Sequence, residues 1–476
     1  MSFKRGSGVT AAISVLATIA IFGAQQVPAA AAVKTSAAPT TAASASVPSS
    51  YRPIAPSFRI LDTRRNFCGA NSCSALGPGG TLTLQVTGYV DPATGNTVPA
   101  GATAVVLNVT EVDGSSFSIL TVYPTGTGRP TASNLNFPAH TVLANSVTAQ
   151  LSAGGAVNIY NGLGTVNVLA DVEGYFTAAS ASLPAGEYHP IAPIRVCDTR
   201  VGTPSNACNG LADGKPHALG PNSTVKVLVA GQPAWCTPST CAPGDNIPND
   251  GTEENAILNF TAIGGASSTF LSIFPDTSTT GCSQYGGTHG APAFSDINVS
   301  AGGVQANRVF VELGPNTLPL YVCVYNAAGK ANFILDANGW FGGVGPPPTP
   351  LGLQYVATSP TRICDTRSGN ATACSGHALT AGGTITVAAA GVDGIPSGAK
   401  AISANLTAVA GSSFTFLSAY PSDVSKPNVS DVNVAAGQVL PNLTVVGLST
   451  SPAGKLTIFN ALGTINAIVD VEGWFQ

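Results

Sequence analysis

The sequence predicts an all-β protein of three tandem β-sandwich or jelly-roll-like domains joined by short linkers. The first observation behind this is a triplication. Ile60-Leu61-Asp62-Thr63-Arg64 returns as Val196-Cys197-Asp198-Thr199-Arg200 and as Ile363-Cys364-Asp365-Thr366-Arg367. Each copy closes on a second shared phrase: Asp171 to Phe176, Asp336 to Phe341 and Asp470 to Phe475. A copy spans about 115 to 145 residues, the size of one compact domain. The second observation is apolar–polar alternation with period two in short runs bounded by turn residues, the mark of half-buried strands. The third is composition: 54 Gly and 35 Pro with 44% hydrophobic residues, turn-rich but with enough apolar side chains for cores.

The elements follow in order. Residues 1–32 read as a secretory signal peptide, with Lys4 and Arg5 ahead of an apolar run from Val9 to Phe22 and small residues at Ala29 to Ala32. Residues 33–50 are Ala/Ser/Thr/Pro-rich and read as a disordered leader. Domain 1 is assigned to 51–176, a linker to 177–187, domain 2 to 188–341, a Pro/Gly linker to 342–352 and domain 3 to 353–476. Within the copies, Thr81–Val86, Thr224–Val229 and the run from Thr384 match as strands. So do Ala104–Thr110, Ala256–Thr261 and Ala401–Thr407, then Phe117–Tyr123, Phe270–Phe274 and Phe414–Tyr420. Val157–Tyr160, Asn161-Gly162 and Thr165–Ala170 read as a hairpin whose turn draws on Asn and Gly. No segment after the signal shows a capped 3.6-residue period.

Charge and cysteine usage narrow the function classes. Only 9% of residues are charged, against about 25% in ordinary soluble proteins. The net charge is −4 with no basic block, which argues against nucleic acid as a partner. No membrane span is expected after signal removal. Ten cysteines in an exported chain predict disulfides: Cys68–Cys73, Cys197–Cys208, Cys236–Cys241, Cys282–Cys323 and Cys364–Cys374. No His cluster accompanies them, so no metal site is expected.

The recurring polar residues are the candidate sites. Asp62, Asp198 and Asp365 stand two residues before Arg64, Arg200 and Arg367, on one strand face. A structural clasp from these to Asp171, Asp336 and Asp470 would tie the first strand of each copy to its last. Asp171 with Glu173 invites a glycosidase reading, but Asn338 replaces the Glu in copy two, and no catalytic residue is assigned. Of the five His residues only His217 and His377 align, with Ser74 in their place in copy one, and no Gly-x-Ser-x-Gly elbow is present. Candidate ligand-binding residues are the recurring amides Asn136, Asn298 and Asn433, and Asn145, Asn307 and Asn442. The ring residues Tyr175, Trp340 and Trp474 at the strand ends join them. Turn-holding is the plainer role for such amides. No cofactor is expected; calcium, which favours clustered carboxylates, is weakened as a reading because Asp296 and Asp431 become Asn134 in copy one.

The Asp-Thr-Arg opening, the Ser-Asp/Asn-x-Asn middle (Ser133, Ser295, Ser430) and the Asp-Val-x-Gly-Tyr/Trp-Phe ending together resemble a repeat of exported proteins from high-GC Gram-positive bacteria. The resemblance covers nearly the whole chain after the signal. It implies an accessory module and brings no catalytic residues. The expectation is a secreted or cell-surface, non-enzymatic protein. It would bind cell-wall or extracellular polysaccharide, or a surface protein, through weak sites combined by multivalency. The alternatives are a self-assembling surface layer or fibre and an extracellular polysaccharide hydrolase or lyase.

Overall fold

The computed structural model describes residues 47–179, 186–200, 208, 217–231, 247–249, 251–276, 282, 292, 294–313, 320–343 and 352–476. The signal segment, the leader up to residue 46, the linker residues 180–185 and 344–351, and the Cys236–Cys241 pair lie outside them. Repeat 1 contributes β1 (Ser49–Asp62), β2 (Phe67–Cys68), β3 (Thr81–Gln85), β4 (Ala102–Val112), β5 (Ser118–Pro124), β6 (Leu135–Phe137), β7 (Val142–Gln150), β8 (Ala156–Asn161) and β9 (Asn167–Ala178). Repeat 2 contributes β10 (Glu187–Asp198), β11 (Ser223–Leu228), β12 (Glu253–Gly264), β13 (Thr269–Pro275), β14 (Ile297–Val299), β15 (Val304–Glu312), β16 (Tyr321–Asn326) and β17 (Ala331–Gly342). Repeat 3 contributes β18 (Tyr355–Asp365), β19 (Thr384–Ala388), β20 (Ala401–Val409), β21 (Thr415–Pro421), β22 (Val432–Val434), β23 (Val439–Gly447), β24 (Lys455–Asn460) and β25 (Asn466–Phe475). Among the described residues the one helical element is the short turn Thr63–Arg65. The strands begin and end slightly beyond the expected domain limits, since β1 starts inside the assigned leader and β9 enters the assigned linker.

Each repeat has two layers of four antiparallel strands; the larger layers of repeats 1 and 3 are joined where β1 meets β18 at Ser49 and Tyr355, and with β2 they form one nine-stranded sheet. In repeat 1 the orders are β1-β9-β4-β7 and β3-β8-β5-β6, and the other repeats reproduce both. Eight strands that alternate between two sheets in this way make a jelly roll. The expected hairpin at Asn161-Gly162 is not one. β8 pairs with β3 and β5, while β9 pairs with β1 and β4, so the turn is an arch from one sheet to the other. Asn161 shapes it with its side chain: Nδ2 donates to the carbonyls of Leu76, Gly77 and Gly164, and Oδ1 accepts from Ser118. Asn326 and Asn460 make the same donor set. The left-handed position is Gly164, with φ +58°, rather than Asn161 or Gly162.

The larger sheets are buried on both faces. On β4, Val105, Leu107 and Val109 fill the repeat's own core. Ala104, Val106 and Asn108, on the opposite face, are equally buried. They are covered by the neighbouring repeats. Three strand-opening tyrosines and three strand-closing phenylalanines gather there into one cluster. Tyr51 stacks on Phe341 of repeat 2 at 4.6 Å, while Tyr188 packs tilted against Phe475 of repeat 3 at 4.4 Å and Tyr355 against Phe176 of repeat 1 at 4.3 Å. The contacts run 1 to 2, 2 to 3 and 3 to 1, a closed ring about a pseudo-threefold axis. Each tyrosine hydroxyl donates to the carbonyl of Glu173, Asn338 or Glu472 in its own repeat. The glycine of the closing phrase makes this possible: a Cβ on Gly174, Gly339 or Gly473 would stand 2.2 to 2.4 Å from a tyrosine ring atom or hydroxyl.

Because the repeats share this buried cluster, the chain should unfold in one cooperative step. Phe341→Ala should cost about 3–5 kcal/mol. Equilibrium denaturation checks both, and a separate early transition for one repeat would contradict the shared core.

Candidate functional site

The opening and closing phrases do form a clasp, but a different arginine carries it. Arg59, Arg195 and Arg362 each meet the closing-phrase Asp171, Asp336 or Asp470, with Nε to Oδ1 at 2.8 Å in every repeat. Arg64, Arg200 and Arg367 instead fold back on Asp62, Asp198 and Asp365, two residues away, and remain about half exposed. The reason is geometric. Asp62 caps the turn Thr63–Arg65, accepting from the Arg64 N–H at 3.1 Å, so the strand has ended before Arg64. Burial pushes the Asp62 carboxyl up, but the bonds and charges of Arg64 and Arg59 outweigh it and hold the carboxyl below its ordinary value. The signal was present in the sequence, because Arg59, Arg195 and Arg362 recur one residue before the quoted phrase.

Asn145, Asn307 and Asn442, expected to be available to a ligand, are buried in the interfaces between repeats. Asn307 donates to Asn108 Oδ1 at 2.9 Å, Asn442 to Asn259 Oδ1 at 2.7 Å and Asn145 to Asn405 Oδ1 at 3.0 Å. Asn108 and Asn405 then donate to the carbonyls of Ser295 and Ser133 at 2.7 and 2.5 Å, and Asn259 to that of Ser430. This belt of six amides closes the same ring as the aromatic cluster. Asn136, Asn298 and Asn433 are also structural, each donating to the serine three residues before it. The expected aromatic platform does not form either. Trp340 is buried and stacked on His189 at 3.8 Å, and Tyr175 and Trp474 pack partly buried against the cores of their own repeats.

Between belt and aromatic cluster lies a row of buried acids in which the three interfaces differ. At the 3–1 interface Glu472 accepts from Asn134 Nδ2 at 2.6 Å and from the Thr148 N–H at 2.8 Å. At the 2–3 interface Asn338 takes the glutamate's place. Arg308, fully buried, bonds Asn338, the Leu443 carbonyl and Asp431. At the 1–2 interface Glu173 accepts from the Ser146 hydroxyl and the Phe310 N–H and faces Asp296, with no cation between them among the described residues. Burial, with Asp296 adding to it, pushes the Glu173 carboxyl well above its usual range. Burial also pushes Asp296 up to about 8 and Glu472 up to about 8. Asp296 and Asp431 each accept a backbone N–H across their own hairpin at 2.7 Å, as Asn134 does at 2.6 Å.

A cavity of about 690 Å³ is bounded by all three repeats; a smaller one of about 410 Å³ lies in repeat 1 between Cys68 and Thr83. The larger cavity lies at the Val142 end of β7, while the aromatic cluster lies at the other. Three tips surround it, each built from the loop before β5, β13 or β21, the arch after β8, β16 or β24, and the turn before β7, β15 or β23. Backbone bonds lock each tip, such as His140 N to Gly114 O at 2.8 Å and Gly437 N to Gly411 O at 2.8 Å. Of the six exposed large apolar residues among those described, five are on these tips: Phe117, Val142, Leu163, Phe414 and Leu462. Repeat 2 departs from the others here. Ser268 stands where Phe117 and Phe414 stand, and Ala328 where Leu163 and Leu462 stand, and both line the cavity. Repeat 1 departs too. His140 occupies the left-handed turn position, φ +59°, that Gly302 and Gly437 fill elsewhere. His140 is paired with Asp113 at 2.9 Å. Recurrence could not have found these residues; comparison for differences between copies would have.

Four expected disulfides are present: Cys68–Cys73, Cys197–Cys208, Cys282–Cys323 and Cys364–Cys374. Asp276 lies close to Cys282 and Cys323, but both thiols are taken up in their disulfide and Asp276 pairs with Lys226. No described helix is long and apolar enough to cross a membrane.

The chain matches no family model and no characterised protein sequence. Among solved structures it is similar to a chain in the atomic structure of the Sulfolobus turreted icosahedral virus, at 12% identity, covering 89% of this chain and 90% of that one, with a TM-score of 0.15. It is also similar to the triple jelly roll in the turret assembly of an archaeal virus, at 11% identity over 89% and 91%, again with a TM-score of 0.15. Similarity at that score adds nothing to what the strand order already shows.

Arg59→Ala strips the buried Asp171 of its cation and should cost about 3 kcal/mol, whereas Arg64→Ala should cost about 1 kcal/mol or less. Urea titration of the two variants measures the difference, and equal losses would contradict the assignment of the clasp to Arg59. The acid row sets a pH dependence. Asp296 and Glu472 keep their protons when folded up to about 8, while unfolded they release them near about 4. Over that window the folded state binds more protons, so stability falls as pH rises, by up to about 1.4 kcal/mol per pH unit for each group. Asp296→Asn, which installs the residue of repeat 1, should flatten the fall in melting temperature between pH 5 and pH 8.5. An unchanged slope would show that Asp296 is not protonated in the fold.

Proposed function

We propose that this is a secreted, non-enzymatic protein that binds cell-wall or extracellular polysaccharide. The three repeats act as one rigid head, and its tips meet the surface. The observation that carries this reading is the placement of exposed apolar side chains at one end of the axis, around the cavity, in a chain whose other described surfaces hold few of them. Apolar rings and chains grouped around a concavity mark an interaction surface. The acids that suggested hydrolysis support the non-enzymatic side. Asp171 is held by Arg59, and Glu173 and Glu472 are buried between repeats. Disulfides on all three repeats favour an oxidising, extracellular setting. Fixing three tips in one frame removes the entropy of aligning separate domains, so weak contacts combine without flexible linkers.

Co-sedimentation with insoluble cell walls and polysaccharides tests the reading. Saturable pelleting of the intact chain is expected. The double variant Phe117→Ser, Phe414→Ser, which copies the residue of repeat 2, should pellet at least several-fold less. If no wall or glycan pellets the chain, the polysaccharide reading fails, and concentration-dependent sedimentation of the chain alone would then favour self-assembly.

A further inference from the structure

We infer that the cavity among the three tips is a binding site for a neutral, N-acetylated sugar unit. The inference rests on the polysaccharide reading above and names its site and ligand chemistry. Its volume, about 690 Å³, lies within the roughly 300–1,000 Å³ of small-ligand sites.

The site exists because repeat 2 breaks the threefold pattern. Ser268 and Ala328 remove a phenylalanine and a leucine from one tip, and the space they vacate is the cavity wall. The rings of Phe270 and Phe414 remain on its lining. The turn that carries His140 on the same lining holds a non-glycine residue in the left-handed region, where the two sister turns use glycine. The His140 ring is held by the 2.9 Å bond from its Nδ1 to Asp113, which leaves Nε2 for a ligand.

The chemistry of the lining selects the ligand. It contains no Asp, Glu, Lys or Arg, and its one ionisable residue, His140, is already paired with Asp113, so a charged sugar would lose its hydration with no free counter-charge to meet it. Its polar groups are amides and hydroxyls. Gln438 accepts from the Ala435 N–H through Oε1, which leaves its NH2 to donate to a ligand. Gln305 makes a long 3.4 Å bond to the Ala306 carbonyl, and Asn298 a 3.3 Å bond to Ser295. Apolar surface from Leu143, Leu440, Phe270 and Phe414 accompanies them. A sugar bearing only hydroxyls would leave several of these desolvated against apolar walls. An acetamido sugar brings a methyl group for the apolar wall and a peptide-like amide for the glutamines, with a ring face for the phenylalanines.

The test uses the intact chain and a tetramer of N-acetylglucosamine, followed by calorimetry, with a glucose tetramer and polygalacturonate for comparison. Saturable binding of the N-acetylated tetramer is expected, with at least tenfold weaker binding of the other two. Ser268→Phe with Ala328→Leu fills the cavity with residues the sister repeats already carry, and should weaken binding at least tenfold. Phe414→Ala removes a half-exposed ring without touching a core and should weaken binding severalfold, which keeps the test valid if the filled variant does not fold. His140→Gly should also weaken binding while raising the melting temperature, since it relieves the left-handed strain. If the tetramer binds and both the filled variant and Phe414→Ala bind it equally well, the cavity is not the site, although the polysaccharide reading stands. If walls pellet the chain but the N-acetylated tetramer does not bind, the ligand class is wrong. If neither binds, both readings fall together.

Discussion

The structure depends on the amide belt that joins the repeats. An asparagine on β4, β12 or β20 of one repeat is paired with an asparagine on β15, β23 or β7 of the next, the third repeat pairing back to the first. Heterologous contacts of this kind either close or run on as a filament. Here three copies in one chain close the ring. The amides suit the position because a buried strand face that meets another strand edge carries backbone carbonyls needing donors. Asn108 and Asn405 supply one each, to Ser295 and Ser133, and accept a bond from the partner asparagine. A charged group there would bear a desolvation cost far larger than its hydrogen bonds return. One lapse remains: Asn442 Oδ1 is buried without a partner, at the interface where Arg308 replaces the serine found in repeat 1.

The closing phrase is explained almost atom by atom once the ring is recognised. Its Asp receives the clasp arginine, its Glu reaches the next repeat while Asn338 holds Arg308 of its own, its Gly admits the tyrosine ring and its Phe joins the axis. The Tyr or Trp between Gly and Phe points the other way, into its own repeat, as strand alternation requires. The phrase therefore records a requirement of packing. A low charge content follows from the same cause, since both faces of the larger sheets are buried and each ionic group inside must find a partner. At the 1–2 and 3–1 interfaces, where Glu173, Asp296 and Glu472 have no cation beside them among the described residues, burial favours the protonated carboxyl instead.

Repetition and difference carry separate information in this chain. Positions held by the same residue in all copies are spent on the fold. Positions where one copy departs fall in two places: the buried interfaces, with Asn338 and Arg308 in repeat 2 and Asn134 in repeat 1, and the tips, with Ser268 and Ala328 in repeat 2 and His140 in repeat 1. A ring of three identical jelly rolls would present three equal tips and a filled axis end. Substituting small residues in one tip opens a single asymmetric cavity, which allows a rigid symmetric frame to hold one specific site.

The sequence by itself determined the local order: the three repeats, the all-β class, the strands with their period-two pattern, and the disulfides set by short spacings. These are properties of neighbouring residues, and alternation or loop length reports them directly. It left the clasp one arginine off, because Asp62 caps a turn that removes Arg64 from the strand, and no periodicity marks where a strand yields to a cap. It made a hairpin of an arch, because Asn161-Gly162 reverses the chain equally well within a sheet or between two. Only the tertiary structure decided that Asn145, Asn307 and Asn442 are buried. A strand's outward face reads as polar whether water or another repeat's carbonyls satisfy it, and that choice depends on surfaces more than a hundred residues apart in the chain.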